Sequence, residues 1–250
     1  VSDSDGSPPA ATDPPASDPL VGLASWEGVG SGLAAARDGI DALLRDRGMR
    51  RVDRSTTAEA LLRGAYASAT LEGSTATLEE VRAEGGDDLA RAAVRLHVEL
   101  LGLLGTFRTA PAQALARMHV LVAPQPDSAG RPRSPEAAAR LTALARRLQQ
   151  GTAAPALLEA AMAHAEVATL QPFGSRDGLV ARGLERLVLA ARGVDPVSVT
   201  VPEAGHLALR AAYESNLRGY RDGGSAGVHS WLLYAGEAFA AGAEASPLSG

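Results

Sequence analysis

Apolar side chains recur along this chain at three- to seven-residue intervals, the spacing that lines one face of an α-helix. The first such run opens near Ser31 and carries Leu33, Ile40, Leu43 and Leu44, with Arg47-Gly48 marking its end. A second extends from about Thr57 to Leu71 and breaks at Gly73. A third opens at Thr77, whose spacing to Glu80 is that of a capping box, and stops at Gly85 and Gly86. Asp88 to Phe107 reads as one long helix closed before Pro111, and Ala112 to Val122 as another. The turn-rich connection that follows ends in Ser134-Pro135, an N-cap and first-turn pair. Helices are predicted next at about 135–150 and 155–169, then from Asp177 to about Arg192 with a stop at Gly193 and Pro196, then near 203–220 and 228–243. Between them Val197-Ser-Val-Thr-Val201 reads as extended. No repeat of fixed period interrupts this order.

Residues 1–20 break the pattern. They are Pro, Ser, Asp and Ala with almost no large apolar side chain, so burial cannot offset the entropy of ordering them, and a disordered tail is predicted. Residues 21–250 then form a single helical domain, long enough to bury a substantial core. Composition agrees with an all-α fold: there are nine aromatics (Phe 3, Tyr 4, Trp 2), and Ala and Leu, which lose little entropy in a helix, are abundant. Two absences remove whole classes of chemistry. With no cysteine there are no disulfides, thiolate nucleophiles or Cys-ligated zinc. All 24 basic residues are Arg, so lysine Schiff bases, lysine nucleophiles and a Walker-A lysine are excluded. A net charge of −5 argues against nucleic-acid partners, which require excess cationic surface. No stretch is long and apolar enough for a membrane span, and the acidic opening lacks the basic region of a signal peptide, so a cytoplasmic location is expected.

The informative segment is Gln171-Pro-Phe-Gly-Ser-Arg-Asp-Gly-Leu-Val-Ala-Arg182, which joins two predicted helices. Pro172 disfavours helix at the residue before it, and Gly174 and Gly178 permit positive φ. Loop amides and the N-terminus of the next helix are therefore expected to converge on one small volume, which is an anion site. Arg182, about one turn inside that helix, is placed to fork onto a phosphate held there. On spacing alone, a plain helix–loop–helix with an N-cap aspartate competes with this reading.

The segment resembles the signature of the Fic (Fido) family, His-Pro-Phe-x-Asp/Glu-Gly-Asn-Gly-Arg-x-x-Arg. Three further stretches resemble the family in the same order. Ser68-Ala-Thr-Leu-Glu72-Gly73, followed by Thr77-Leu-Glu-Glu-Val81, is similar to its inhibitory-helix pattern. Arg117-Met-His119 and Ala129-Gly-Arg131-Pro-Arg133 are similar to the helix and flap upstream of the signature, and Ala163-His164-Ala-Glu166 to the helix that precedes it. The resemblance spans roughly residues 35–220. It implies an all-α Fic-like fold, a short β-hairpin flap around residues 123–133, and a nucleotide-binding loop of Gly174, Ser175, Asp177, Gly178 and Arg182. It also implies a regulatory motif of Ser68, Glu72 and Gly73, in which Glu72 pairs with Arg182 and displaces a terminal phosphate. ATP or another nucleotide is the implied ligand, with Mg²⁺ admitted only through Asp177.

Departures from the signature are as informative. Gln171 stands where the family has its catalytic histidine, and its amide has no usable basicity. Ser175 replaces the metal-binding acid, Arg176-Asp177-Gly178 replaces Gly-Asn-Gly, and Leu179 replaces the first arginine. The resemblance therefore implies a catalytically degenerate member that keeps a phosphate site gated by Glu72. Two rivals stay open: a working adenylyltransferase or de-adenylylating enzyme, and a protein-interaction module with a vestigial cleft. His164 lies two helical turns before Gln171, too remote to replace the base, and is read as structural. His97, His119, His206 and His229 are scattered and carry no metal-ligand spacing. Glu79 and Glu80 near Arg82 read as a solvated helix face, and Gly28-Val-Gly30-Ser-Gly32 lacks the spacing and preceding strand of a dinucleotide loop.

Overall fold

The computed structural model describes residues 18–46 and 52–249. Their elements are α1 (Pro19–Leu23), α2 (Val29–Asp46), α3 (Arg54–Leu71), α4 (Leu78–Arg82), α5 (Asp88–Leu100), α6 (Leu104–Thr109), α7 (Pro111–Val122), α8 (Pro135–Gln150), α9 (Ala156–Leu170), α10 (Asp177–Ala191), α11 (Pro202–Ala208), α12 (Arg210–Asp222) and α13 (Gly224–Glu244). Helix starts follow local chemistry. Asp53 caps α3 through the amide of Thr56 at 2.8 Å, and Asp87 caps α5 through Ala90 at 2.9 Å. Ser134 caps α8 through Ala137 at 3.2 Å, with Pro135 in the first turn. At α4 both halves of the capping box form: Thr77 accepts from the Glu80 amide, and Glu80 from the Thr77 amide.

Four expectations change. The long helix over 88–107 is broken by a 3₁₀ turn at Leu101–Leu103, where Gly102 within the turn and Gly105 just after it weaken helical propensity. The helix over 203–220 divides at Leu209 into α11 and α12. Residues 123–133 contain no strand; they form a turn-rich loop with a 3₁₀ turn at Pro126–Ser128, because Pro124, Pro126 and Pro132 lack the amides a ladder needs. Val197–Val201 is likewise no strand: the Asp195 carboxylate takes the amides of Val199 and Thr200 at 3.1 and 2.7 Å. Of the predicted tail, residues 1–17 lie outside the described residues, as do Arg47 and Gly48. Asp18, Pro19 and Leu20 are part of the fold. The Asp18 carboxylate caps α1 at the Leu20 amide and accepts from the Ala153 amide at 3.0 Å and from the Thr152 hydroxyl. No helix among the described residues is long and apolar enough to cross a membrane.

The fold is organised around α10. Every residue from Leu179 to Ala190 is buried, as expected of a helix surrounded on all sides. Its neighbours are α9, with which it forms a hairpin, and α3, α5, α6, α7 and α11. A second layer is built on α13, which packs against α2, α11, α12 and α9. Trp231 of α13 is fully buried and donates its indole N–H to the Ala161 carbonyl at 2.9 Å, tying this layer to α9.

Charges buried within α10 are matched by other elements. Arg186 forks onto Glu203 of α11 at 2.5 and 2.9 Å and also donates to Ser198 and to the Thr200 carbonyl. Helices crowd closely where glycine permits it: a Cβ on Gly205 of α11 would lie 2.0 Å from the Ala238 carbonyl oxygen of α13. By contrast Gly39, exposed on α2, faces open space. Gly205→Ala is therefore expected to lower stability by about 1–3 kcal/mol or more, overriding the usual helical gain of alanine. Gly39→Ala should raise it by about 0.4–1 kcal/mol. Urea unfolding of the two variants beside the parent checks both signs.

Candidate functional site

The signature segment is a short loop held from both sides. Helix α9 ends because Gln171 adopts φ +48°, and Pro172 follows; Gly174 at φ +79° and Arg176 at φ +52° then turn the chain into α10. The Asp177 carboxylate accepts the Phe173 amide at 2.9 Å and closes the loop on itself. Arg133 clamps it from outside: its amide donates to the Pro172 carbonyl at 2.8 Å, and its guanidinium to the Gln171 and Leu170 carbonyls at 2.8 and 3.3 Å. Arg176 reaches the Val122 carbonyl at 2.6 Å and pairs with Asp88. Beneath the loop, His119 stacks on Phe173 with ring centroids 4.2 Å apart. Its Nδ1 accepts the Gly130 amide at 2.9 Å, and burial holds its pKa below the usual histidine range. The segment around 130–133 thus braces the signature loop without forming a hairpin.

At the start of α10 the amides of Asp177 and Gly178 have no carbonyl partner within the helix. The Glu72 carboxylate occupies this position: its Oε1 lies 2.0 Å from where a Gly178 Cβ would be, so it rests against the bare Gly178 backbone. The same oxygen accepts from the Arg182 Nη2 at 2.9 Å. Arg182 also donates to the Ser68 hydroxyl and carbonyl at 2.8 and 3.0 Å and to the Tyr213 hydroxyl at 3.1 Å. It is fully buried, and Tyr213 and Glu72 together hold its pKa above the ordinary arginine value against desolvation. Helix α3 ends immediately after Glu72 in a Schellman motif. Gly73 at φ +100° donates to the Thr70 carbonyl at 3.1 Å, and Ser74 to Ala69 at 3.0 Å. Ser68, Glu72 and Gly73 are thus one unit: the helix presents the first two to Arg182, and the third stops it there.

Around this contact is a cleft of about 260 Å³ lined by Gln171, Gly174, Ser175, Asp177, Gly178 and Glu72, with Tyr213 and Leu217 of α12 opposite. Asp177 is the electrostatically unusual member: burial pushes its carboxyl up to about 6 despite the Phe173 and Gly174 amides. Its oxygen is committed to a loop amide and Ser175 is neutral, so this donor set suits a phosphate better than a magnesium ion. Leu179, where the resemblance would place an arginine, is wholly buried in the core. A larger groove of about 1060 Å³ lies elsewhere, between α1, α8 and α9, and contains none of these residues.

Sequence reasoning missed two features. Tyr213, which carries no motif, bridges Arg182 and His164, whose Nε2 is 3.0 Å from its hydroxyl. The structure also gathers histidines that look scattered along the chain: His164, Glu185 and His206 meet with all three side chains buried and donor atoms within 4.8 Å of one another. Their separations of 21 and 42 positions follow no ligand spacing, and only the packing of α9, α10 and α11 brings them together.

Comparisons with known proteins place this geometry. No protein-family model matches the chain, and no curated protein matches it by sequence. Among solved structures it is similar to a Fic family protein from Desulfovibrio desulfuricans G20, with TM-score 0.72 and 18% identity over 87% of this chain and 73% of that one. It is similar also to Fic-1 of C. elegans (residues 134–508), with TM-score 0.67 and 17% identity over 86% of this chain and 71% of that one. The chain has the all-α fold of the Fic proteins.

Proposed function

We propose that the cleft at the start of α10 is a phosphate-recognition site for ATP or another nucleotide, held shut by Glu72, in a chain that has lost the transfer chemistry of the fold. The supporting observation is that a carboxylate of the same chain sits where a helix N-terminus and a buried arginine converge. A carboxylate and a phosphate oxygen satisfy the same donors, so one excludes the other. The binding part of the site is provided for: unpaired amides at Asp177 and Gly178, a bare glycine surface, and Arg182 oriented by Ser68 and Tyr213. The catalytic part is not. Gln171 cannot take a proton from an attacking hydroxyl, and its backbone is fixed by Arg133 rather than free to reposition a side chain.

Three outcomes are expected. First, the chain does not transfer AMP from α-labelled ATP to protein, and Gln171→His alone does not rescue it. The missing base costs about 10²–10⁴ in rate, and the replaced acid and arginine remain. Robust labelling by the unmodified chain would favour a working transferase instead.

Second, calorimetric titration of ATP should give at least about ten-fold tighter binding to Glu72→Gly than to the parent. Each charge-assisted hydrogen bond released is worth about 1.5–3 kcal/mol. Adding Arg182→Ala should abolish the gain, with melting curves showing that the double variant is folded. Equal, undetectable binding throughout would reject the site in favour of an interaction module.

Third, protonating Asp177 removes a negative charge from the cleft. In the Glu72→Gly background, affinity for sulfate, whose own charge is constant here, should rise as pH falls, with a midpoint below about 6 because Glu72 no longer helps to raise Asp177. Asp177→Asn should flatten that profile.

A further inference from the structure

Four ionisable side chains of α10 are buried, and three have an evident partner. Asp177 accepts loop amides, Arg182 faces Glu72, and Arg186 faces Glu203. Glu185 does not. It is wholly buried, no arginine bonds to it, and its two oxygens face two imidazoles: His206 Nε2 lies 2.9 Å from Oε2, and His164 Nδ1 lies 3.1 Å from Oε1. A carboxylate this deep requires a positive countercharge. Although His164 Nδ1 and Glu185 Oε1 are close, their alignment makes no hydrogen bond, and both are buried polar atoms without a partner. We propose that His164, Glu185 and His206 form a structural binding site for a late first-row divalent cation of the zinc type. This does not rest on the phosphate reading of the neighbouring cleft.

The donor chemistry suits such an ion. Two borderline imidazole nitrogens and the harder oxygens of one carboxylate are donor types that zinc accepts. Two donors about 3 Å apart, each at the ~2.0–2.1 Å bond length of zinc, would subtend an angle between a right angle and the tetrahedral value, so the His164 and Glu185 pair needs little movement. The site as a whole must contract modestly, since its donors spread over as much as 4.8 Å. The outer partners are in place too. His164 Nε2 lies 3.0 Å from the Tyr213 hydroxyl and His206 Nδ1 2.8 Å from that of Tyr234, so each ring can ligate with one nitrogen while the other is held by a phenol. Trp231 packs edge-on against His164 at 5.3 Å and closes the site from α13, which marks it as structural rather than open.

Purified, untagged chain is stripped with a strong chelator, dialysed, and titrated with Zn²⁺ and separately with Co²⁺. One ion per chain is expected, with a melting temperature higher in the zinc form than in the stripped form. The cobalt form should show the intense visible absorption of four-coordinate Co²⁺. Glu185→Gln, confirmed as helical by circular dichroism, should lose both the ion and the spectrum. In case that variant does not fold, X-ray absorption at the zinc edge of the unmutated protein should report two imidazole ligands with nitrogen and oxygen donors only. Absence of stoichiometric binding would overturn the proposal. So would an ion bound without two imidazoles, or one retained undiminished in folded Glu185→Gln. A triad that is metal-free in all these measurements is held by a shared proton instead.

Discussion

Arg182 cannot lose its charge and is buried, and much of the molecule is arranged to meet that requirement. It sits in α10, a helix with no wet face, so its hydrogen bonds must come from elsewhere in the chain. Helix α3 supplies Ser68 and Glu72, and α12 supplies Tyr213. Those demands fix how α3 and α12 approach α10, and the cleft is what remains between them. The same rule acts three and four residues further along. Arg186 draws in α11 through Glu203 and the 198–200 segment through its carbonyls, and Glu185 draws in His206. A central helix carrying this much charge is costly unless every partner is in register, and that favours one arrangement of the surrounding helices over near alternatives.

The parts that were legible in the sequence are those governed by local rules. Helix spacing, the Thr77 and Ser134 caps, the Gly73 stop and the loop at 171–176 depend on residues a few positions apart, and each is present in the structure. The Glu72 and Arg182 pair spans 110 positions. Only the resemblance of both motifs to one family pointed to it, and the packing of α3 on α10 provides it. Errors arose where local rules conflict. Gly102 and Gly105 outweigh an apolar period that otherwise continues to Phe107, and the prolines of 123–133 override an expected hairpin. The alternating apolar residues of 197–201 yield to Asp195, which takes their amides. Tyr213, Glu185 and His206 gave no warning, because nothing short-range distinguishes a buried polar network from ordinary residues on an amphipathic helix.

Residues of the 171–182 segment differ in how deeply they are bound into the packing. Phe173, Gly178 and Arg182 are bound into the packing: Phe173 stacks on His119, Gly178 receives the Glu72 carboxylate, and Arg182 is the buried cation itself. Gln171 and Ser175 line the cleft, and the Ser175 Oγ also lies 3.4 Å from the Nε2 of buried His119. Substitution at the first group would endanger the fold, while the exposed Gln171 side chain can change with less disturbance.

The Schellman motif after Glu72 has a kinetic meaning. Because Gly73 and Ser74 already satisfy the last carbonyls of α3, the backbone of Glu72 is anchored, and only its side-chain torsions remain free to carry the carboxylate away from Gly178. Clearing that surface requires no unwinding of α3 and no displacement of one helix against another. Side-chain rotation of an accessible residue takes picoseconds to nanoseconds, whereas local unfolding takes microseconds or longer. Glu72 is a quarter exposed, enough for that rotation to be taken up by water. An arriving anion would then meet a competitor that vacates quickly and returns quickly, so its occupancy is decided by relative affinity rather than by waiting for the fold to open.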